Sequence, residues 1–489
     1  MTPLVRRADV VLHADPSRVV ARLFIPGNEL SPSGDSRAGG VIERVLALPE
    51  AQVESLAADV WERWGTRHRD LGAALDRSFE QVAHRLPPGP EPSPARRTLI
   101  SAYFTQEQSI EGAALFNPSL VPHPDQSGLE PGQLRFVMSL RAVGEGHVSC
   151  IELRTGVLGP AGQLHVDAPG PHAEIGTITH GTYSRELFRA SLADHGADAE
   201  AAVYLVSHLP ETFDMEQLDR ALVRLDESQH NRRGGLRTDA LVRQIARCTY
   251  RVEFDAATTV AERVLRPHGP TESQGMEDAR FVQVVDDGGS EVYKATYTAF
   301  DGLHIAPQLL QTDDFRTFRV SVLAGPAAVD KGMALFPRTV GGRHLALTRA
   351  DRETTGISSS ANGYYWEVPT PLHGPSRSWD MIQTGNCGSP VETDDGWLVI
   401  MHGVGPMREY VIGAILLDLD DPTTVVGELD EPLLRPQEDE REGYVPTVVY
   451  SCGSLRNGDV LLLPYGTSDA SVRFAVVDLP QLLDRLTGR

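Results

Sequence analysis

The sequence predicts an all-β fold, a five-bladed β-propeller with an N-terminal helical extension and a helical insertion. Three observations carry that expectation. After residue 115, apolar alternation and Gly-rich turns recur, which marks a chain of many short strands. Within that texture a unit repeats: a Gly turn, an alternating strand, and a polar residue where the strand ends. Two stretches switch to helical spacing, from Pro49 to Leu86 and roughly 185–247.

Residues 8–26 read as two short strands around an Asp15-Pro16-Ser17 turn. From Pro49, a residue suited to a first helical turn, Val53, Leu56, Val60, Trp61 and Trp64 fall on one helical face. Leu71, Leu75, Phe79, Val82 and Leu86 repeat the spacing in a second helix. The Pro-rich segment from Pro87 to Pro94 then interrupts the pattern. A module boundary placed there makes 1–95 an accessory region for packing or assembly, and 96–489 the propeller catalytic domain. Inside the latter, Met215, Leu218, Leu222 and Leu225 return to helical spacing behind Asp214, a candidate cap. An Asn231-Arg232-Arg233-Gly234-Gly235 loop separates them from a further helical run, Leu241 to Ala246.

Five units make up the repeat. Gly132-Gln133-Leu134 runs to Arg141; Asp287-Gly288-Gly289 to Tyr297, Thr298 and Asp301; and Gly341-Gly342 to Arg349. Asp395-Gly396-Trp397 runs to His402, and Asn457-Gly458-Asp459 to Tyr465 and Asp469. In a propeller such strand ends converge on one central funnel. In a β-sandwich, the competing architecture, they would scatter.

Composition narrows the function. At 489 residues the chain can bury a large core. A formal net charge of -22, from 45 Lys+Arg against 67 Asp+Glu, argues against nucleic acid and anionic membrane surfaces as partners. Cys150, Cys248, Cys387 and Cys452 are scattered without a CxxC pair, so neither a zinc site nor a disulfide framework is expected. The N-terminal stretch lacks the apolar segment of a signal peptide, and no apolar run approaches the ~20 residues of a membrane helix. A cytoplasmic protein without metal or organic cofactor is the expectation; a homo-oligomer is compatible with it.

The polar strand ends and their neighbours form the candidate site: Asn117, Arg141, Glu145, His147, Asp278, Arg280, Asp301, Lys331, Arg349, Glu392, His402, Tyr465 and Asp469. No Ser-His-Asp elbow, Walker A loop, GxGxxG turn or HExxH helix is present. Carboxylates, hydroxyls and cations in one funnel suit carbohydrate chemistry. One carboxyl protonates a glycosidic oxygen, while another activates water or a basic cluster holds phosphate. Each residue alone has an ordinary reading: a satisfied strand-end histidine for His147 or His402, a surface charge for Arg349, a turn residue for Glu392. The case rests on convergence. Gly275-Met276-Glu277-Asp278-Ala279-Arg280 is central, because a carboxylate beside a fixed guanidinium is held in one geometry.

Several motifs together resemble glycoside hydrolase family 130. They are Phe116-Asn117-Pro118-Ser119, Leu140-Arg141-Ala142 with Gly144-Glu145-Gly146-His147, and Glu277-Asp278-Ala279-Arg280. Asp330-Lys331-Gly332 with Leu335-Phe336-Pro337, Gly396-Trp397-Leu398 to His402-Gly403-Val404, Leu416 to Pro422, and Pro464 to Asp469 complete the set over roughly 110–480. The resemblance implies a five-bladed propeller whose funnel cleaves β-mannosides, often β-1,2-linked, with inversion. It implies Asp278 as the acid, acting through a sugar hydroxyl, with Ala279 where the family usually carries proline. It also implies that Asn117, Arg141 and Asp469 hold the mannose whose bond breaks. The family contains phosphorylases and hydrolases. Arg349 and Lys331 suit a phosphate site, but Glu392 stands where phosphorylases are expected to carry a lysine, and it would repel phosphate and deprotonate water. The sequence therefore favours hydrolysis of β-mannosides with Asp278 and Glu392 as the catalytic pair. The alternative is a phosphorylase that uses inorganic phosphate as co-substrate and releases mannose 1-phosphate. A non-catalytic sugar-binding propeller is the second alternative.

Overall fold

The computed structural model describes residues 3–26, 36–228, 234–285 and 289–489. The expected Asn231-Arg232-Arg233 loop and the Asp287-Gly288 turn lie outside the described residues. Strands hold 38% of the chain and helices 24%, so the term all-β fits the sheets and not the whole chain. Two compact units are present. One comprises Met1–Ala14, Ala113–Pro169 and Ile175–Arg489; the other comprises Asp15–Gly112 with Gly170–Glu174. Among the described residues no helix is long and apolar enough to cross a membrane.

The smaller unit holds the helices Arg37–Leu46, Glu50–Trp64, Leu71–Val82 and Pro94–Tyr103. Spacing anticipates the middle two. The outer two have clear start signals that periodicity alone misses: Ser36 Oγ accepts from Gly39 N at 3.1 Å, and Ser93 Oγ accepts from Arg96 N at 3.2 Å with Pro94 at the first turn. The Pro-rich segment thus leads into another helix of the same unit. Ile42, Val53, Phe79, Val82, Leu99 and Phe104 form a shared core. The strand Val19–Leu23 pairs there with Thr105–Ser109. The strand on the other side of the Asp15 turn, Val5–His13, belongs to the larger unit and pairs with Ser471–Asp478.

In the larger unit one sheet joins twelve strands. Ala114–Pro122, Leu134–Val143 and Ser149–Leu158 form one antiparallel run, and Gly275–Val285, Glu291–Phe300, Ile305–Thr312 and Thr317–Val322 form another. The two runs meet through a single parallel pair, Gly275 with Ser149. Three further sheets follow in chain order. One contains His344–Thr348 and Thr355–Ser360, the next Gly396–Val404 and Tyr410–Leu417, and the last Val460–Thr467 and Ser471–Asp478. Each of the five turn-to-strand units read from the sequence is therefore a strand. The insertion folds as Arg185–Asp194, Ala199–Ser207, Met215–Ser228 and Gly234–Arg247 around Phe188, Leu192, Leu205, Leu218 and Val242. Asp214 caps as expected, with Oδ1 accepting from Gln217 N at 2.8 Å.

Candidate active site

Each unit encloses a cavity of about 390 Å³, and the linings separate them. In the smaller unit the walls are mostly apolar, with Leu56, Val60, Trp64, Leu71 and Leu75 prominent. In the larger unit the cavity gathers charged groups from strand ends: Asn117, Arg141, Asp278, Lys331, Arg349, His402 and Asp469, joined by Asp330, Arg352, Gln383, Arg408, Tyr410 and Tyr450. Pockets with a few convergent polar groups are where chemistry concentrates.

Two β-bulges aim the central pair. Register slips between Phe116 and Ser119 and between Glu277 and Arg280, and Asn117 and Asp278 sit in those slips with left-handed backbones, φ 50° and 54°. An extra residue in a strand re-aims its side chain, and here both turn to meet. Asn117 Nδ2 donates to Asp278 Oδ1 at 2.6 Å. Arg141 reaches Glu277 Oε1 at 2.6 Å through Nη2 and Asp278 Oδ1 at 3.4 Å through Nη1, while its Nε donates to Ser149 Oγ at 3.0 Å. Arg280 lies behind the pair: Nη1 holds the Asp278 carbonyl at 2.8 Å and Nη2 the Tyr450 hydroxyl at 2.8 Å. Burial pushes the Asp278 pKa up, but Arg141, Arg280 and Lys331, with the Asn117 hydrogen bond, outweigh it and hold the carboxyl below its usual range. Burial raises Glu277, against the pull of Arg141. At the tip of the last hairpin, Asp469 (φ 51°) is pushed up to about 6 by burial and by the Asp278 charge, against Arg141, Arg408 and Lys331.

The other side of the cavity is cationic. Arg349 is buried and gives one donor, Nη2, to the Arg352 carbonyl at 3.2 Å, while its Nε has no partner. Two glycines make room for it. A Cβ on Gly332 would stand 2.9 Å from Arg349 Cδ, and one on Gly385 would stand 2.5 Å from Arg349 Cδ and 2.6 Å from His402 Cε1. His402 is fully buried, and neither ring nitrogen meets a partner at hydrogen-bond geometry. Burial, reinforced by Arg349, Arg280 and Lys331, holds it well below the usual histidine range, so it is neutral. Its ring stacks on Tyr410 at 5.9 Å and meets Tyr450 edge-on at 4.9 Å. Lys331 makes no ion pair with any described residue, whereas its neighbour Asp330 is paired with Arg352. No group of His, Cys, Asp and Glu among the described residues is arranged to hold a metal ion.

Six of the expected site residues do not line this cavity, among them Glu145, which is exposed in the same turn as His147. Glu392 is bound from outside by Arg338, with Nη2 to Oε1 at 2.6 Å, and is 41% exposed. Its register partner is Trp397, five residues before His402 in the same strand pairing, so it lies about 16 Å along the sheet from that histidine. Asp301 spends its carboxylate on the Leu303 and His304 amides at 2.8 and 2.7 Å, closing a surface turn. Tyr465 is fully buried, with its hydroxyl on Glu440 Oε1 at 2.7 Å. His147 sits in a turn with its ring 6.5 Å from Tyr444. Arg280 acts from behind, through Asp278 and Tyr450. Conversely, the sequence reading passed over Glu277, Gln383, Arg408, Tyr410 and Tyr450. Glu277 was legible inside the central motif. Arg408 was legible as the last residue of Gly405-Pro406-Met407-Arg408, which mirrors Gly144-Glu145-Gly146-His147 after another strand.

A mostly β unit thus brings a gripped carboxylate, a second carboxyl and several cations from its strand ends into one cavity, an arrangement able to hold a polyhydroxylated or anionic ligand. The profile of glycoside hydrolase family 130, described as beta-1,4-mannooligosaccharide phosphorylase, matches residues 252–487. A Beta-1,2-mannobiose phosphorylase of Thermoanaerobacter sp. (strain X514) is 32% identical over 215 residues, 43% of this chain and 68% of the relative. On this ground the chain belongs to glycoside hydrolase family 130. The 1,2-beta-oligomannan phosphorylase of the same organism is 29% identical over 254 residues, 49% of this chain and 80% of that one. The Beta-1,2-mannobiose phosphorylase of Listeria innocua is 30% identical over 231 residues, and the match spans 45% of this chain and only 63% of that enzyme. The solved structure of the Listeria innocua enzyme with β-1,2-mannobiose covers 78% of this chain and 94% of its own, at 22% identity and a TM-score of 0.46.

Proposed function

We propose that the chain is an inverting β-1,2-mannoside phosphorylase whose funnel lies at the centre of a five-bladed propeller, Ala113 to Arg489 with the helical insertion, served by an accessory helical unit. The propeller reading rests on the sheets: dividing the twelve-stranded sheet at its single parallel pair leaves two antiparallel runs, which with the three sheets of four or five strands make five, the two-stranded pairs set aside.

One contrast carries the choice of phosphate over water. Lys331, Arg349 and Arg408 reach the cavity with neutral His402 beside them, while Glu392, the base a hydrolase would need, is engaged elsewhere. Inverting hydrolysis calls for a second carboxyl about 6.5–9.5 Å from the acid to activate water. Phosphate needs no such base and does need cations. The names of the matching relatives point the same way.

In the reaction a phosphate oxygen, oriented by Lys331 and Arg349, attacks C1 of the mannose from the α face. The β-glycosidic C1–O bond breaks, and the proton from Asp278 passes through a sugar hydroxyl to the departing oxygen. Asn117 and Arg141 keep Asp278 in place, and Asp469 holds the same mannose. The products are α-mannose 1-phosphate and the shortened saccharide. The test is β-1,2-mannobiose with and without inorganic phosphate, read by ³¹P resonance and free-mannose assay. Mannose 1-phosphate should accumulate only with phosphate. Free mannose released at a rate indifferent to phosphate would return the enzyme to the hydrolases.

A further inference from the structure

Thr296 carries a buried hydroxyl that reaches out of its own sheet. It stands in Glu291–Phe300 opposite Arg280, where the ladder resumes after the slip that turns Asp278 inward. Its Oγ1 donates to the Met333 carbonyl at 2.5 Å, in the segment that leads into the next sheet. Valine has nearly the same shape and suits a strand at least as well. Packing therefore does not call for the hydroxyl, whereas the bond to Met333 does, because a buried carbonyl that loses its donor is costly.

Met333 closes the turn that presents Lys331. Asp330 (φ 58°) and Gly332 (φ 92°) are left-handed on either side of that lysine, and a Cβ on Gly332 would stand 2.9 Å from Arg349 Cδ. The turn thus lies against Arg349, and Lys331 and Arg349 line the cavity together. Around Thr296 the two sheets meet through apolar side chains, Val282, Leu309, Leu335 and Ala346 among them. Apolar contact is non-directional, so it holds the sheets together without fixing how far one slides along the other. Hydrogen bonds supply the fixed points. Val285 N to Pro337 O, at 3.2 Å, is one at the far end of the strand that carries Asp278, and the Thr296 bond is one near its cavity end. Resting on the phosphorolytic reading above, we propose that Thr296 is a positioning residue: its bond to Met333 sets the Lys331 turn, and with it Arg349, at the distance from Asp278 that a bound phosphate requires.

The test measures binding of sulfate and, separately, of β-1,2-mannobiose by calorimetry in phosphate-free buffer, where a phosphorylase leaves the disaccharide intact. Thr296→Val should weaken sulfate about tenfold, the scale on which a small misplacement of binding groups is felt, and move mannobiose less than twofold. Thr296→Ser restores the donor without the methyl group and should bring sulfate back to within twofold of the unsubstituted protein. Thr296→Ala removes the same donor and carries the same prediction if the valine variant misfolds. A lowered melting temperature with sulfate affinity unchanged would make Thr296 a stabilising residue only. An equal loss of mannobiose would tie it to the Asp278 strand rather than the Lys331 turn, and a serine variant as weak as the valine one would show that the hydroxyl is not what matters; each overturns the proposal. Cleavage of mannobiose by the unsubstituted enzyme in phosphate-free buffer would instead mean that the phosphorolytic reading itself has failed.

Discussion

Gly385 lacks a side chain where Arg349 and His402 need the space. Its backbone is not left-handed, so the requirement is purely steric: any Cβ would lie 2.5 to 2.7 Å from Arg349 Cδ and Nε and from His402 Cε1. Gly385→Ala should push the guanidinium off its present line while costing the fold about 1–3 kcal/mol, the usual range for overpacking. The Michaelis constant for phosphate should rise about tenfold or more, and that for the mannoside should change far less, which steady-state kinetics with each substrate varied in turn will read. Equal rises in both would detach Arg349 from the anion. At this scale the sequence was partly legible. Asn117, Arg141, Asp278 and Asp469 stand in motifs whose residue types announce them, but the left-handed backbones that bring Asn117 against Asp278 fall on residues with no glycine to advertise them.

A strand has two ends as well as two faces, and the short strand Val391–Thr393 shows what that means for Glu392. It pairs with the beginning of Gly396–Val404, and the cavity is served from the other end, where His402 pairs with Gly385. Glu392 and Arg338 then form an exposed bidentate pair beside the Trp397 ring, which lies 4.8 Å from the Arg338 guanidinium carbon. Exposed pairs contribute about 0–1 kcal/mol. Glu392→Gln should therefore leave phosphate-dependent turnover within about twofold of the unsubstituted enzyme and lower the melting temperature only slightly. Collapse of activity with an unchanged melt would restore Glu392 to the catalytic pair. The same element-scale logic explains Asp301 and Tyr465, each at or near the end of a correctly read strand yet committed to a turn and to the core respectively.

Across the larger unit the charges of the cavity form one coupled system. In the free protein Asp278 is held ionised by Arg141, Arg280 and Lys331 against its burial, which is the wrong state for an acid. An anion seated against Lys331 and Arg349 would cancel part of that field, and the Asp278 pKa would rise toward the value burial alone favours. Binding a dianion must then draw in protons. Sulfate, still ionised in mildly acidic buffer, isolates the effect: at a pH lowered into the carboxylate range its binding heat should depend on buffer ionisation enthalpy with the sign of proton uptake, and Asp278→Asn should diminish that uptake. Buffer-independent heats would mean that the anion site and the acid are not coupled. The sign follows from the direction of the shift, because a carboxyl whose pKa rises on binding gains protons at any pH between the two values.

The sequence alone indicated the strand-rich units, the helical insertion and its edges, the family, and seven of the groups that meet in the cavity. Those depend on local signals: period-2 alternation, turn residues, caps and short motifs whose chemistry can be read in place. It did not determine which strand end faces the cavity. Alternation assigns a side chain to a face of the sheet and is silent about direction along the strand, so the sequence pointed to Glu392 and passed over Arg408, which flanks the same pair of strands. Tertiary structure decided between them. The pairing register put Glu392 at the far end with Arg338, and the turn after His402 carried Arg408 to the mouth of the cavity. The proposal of phosphate over water rests on that placement, because it turns on which charges stand together, and long-range pairing sets that distance.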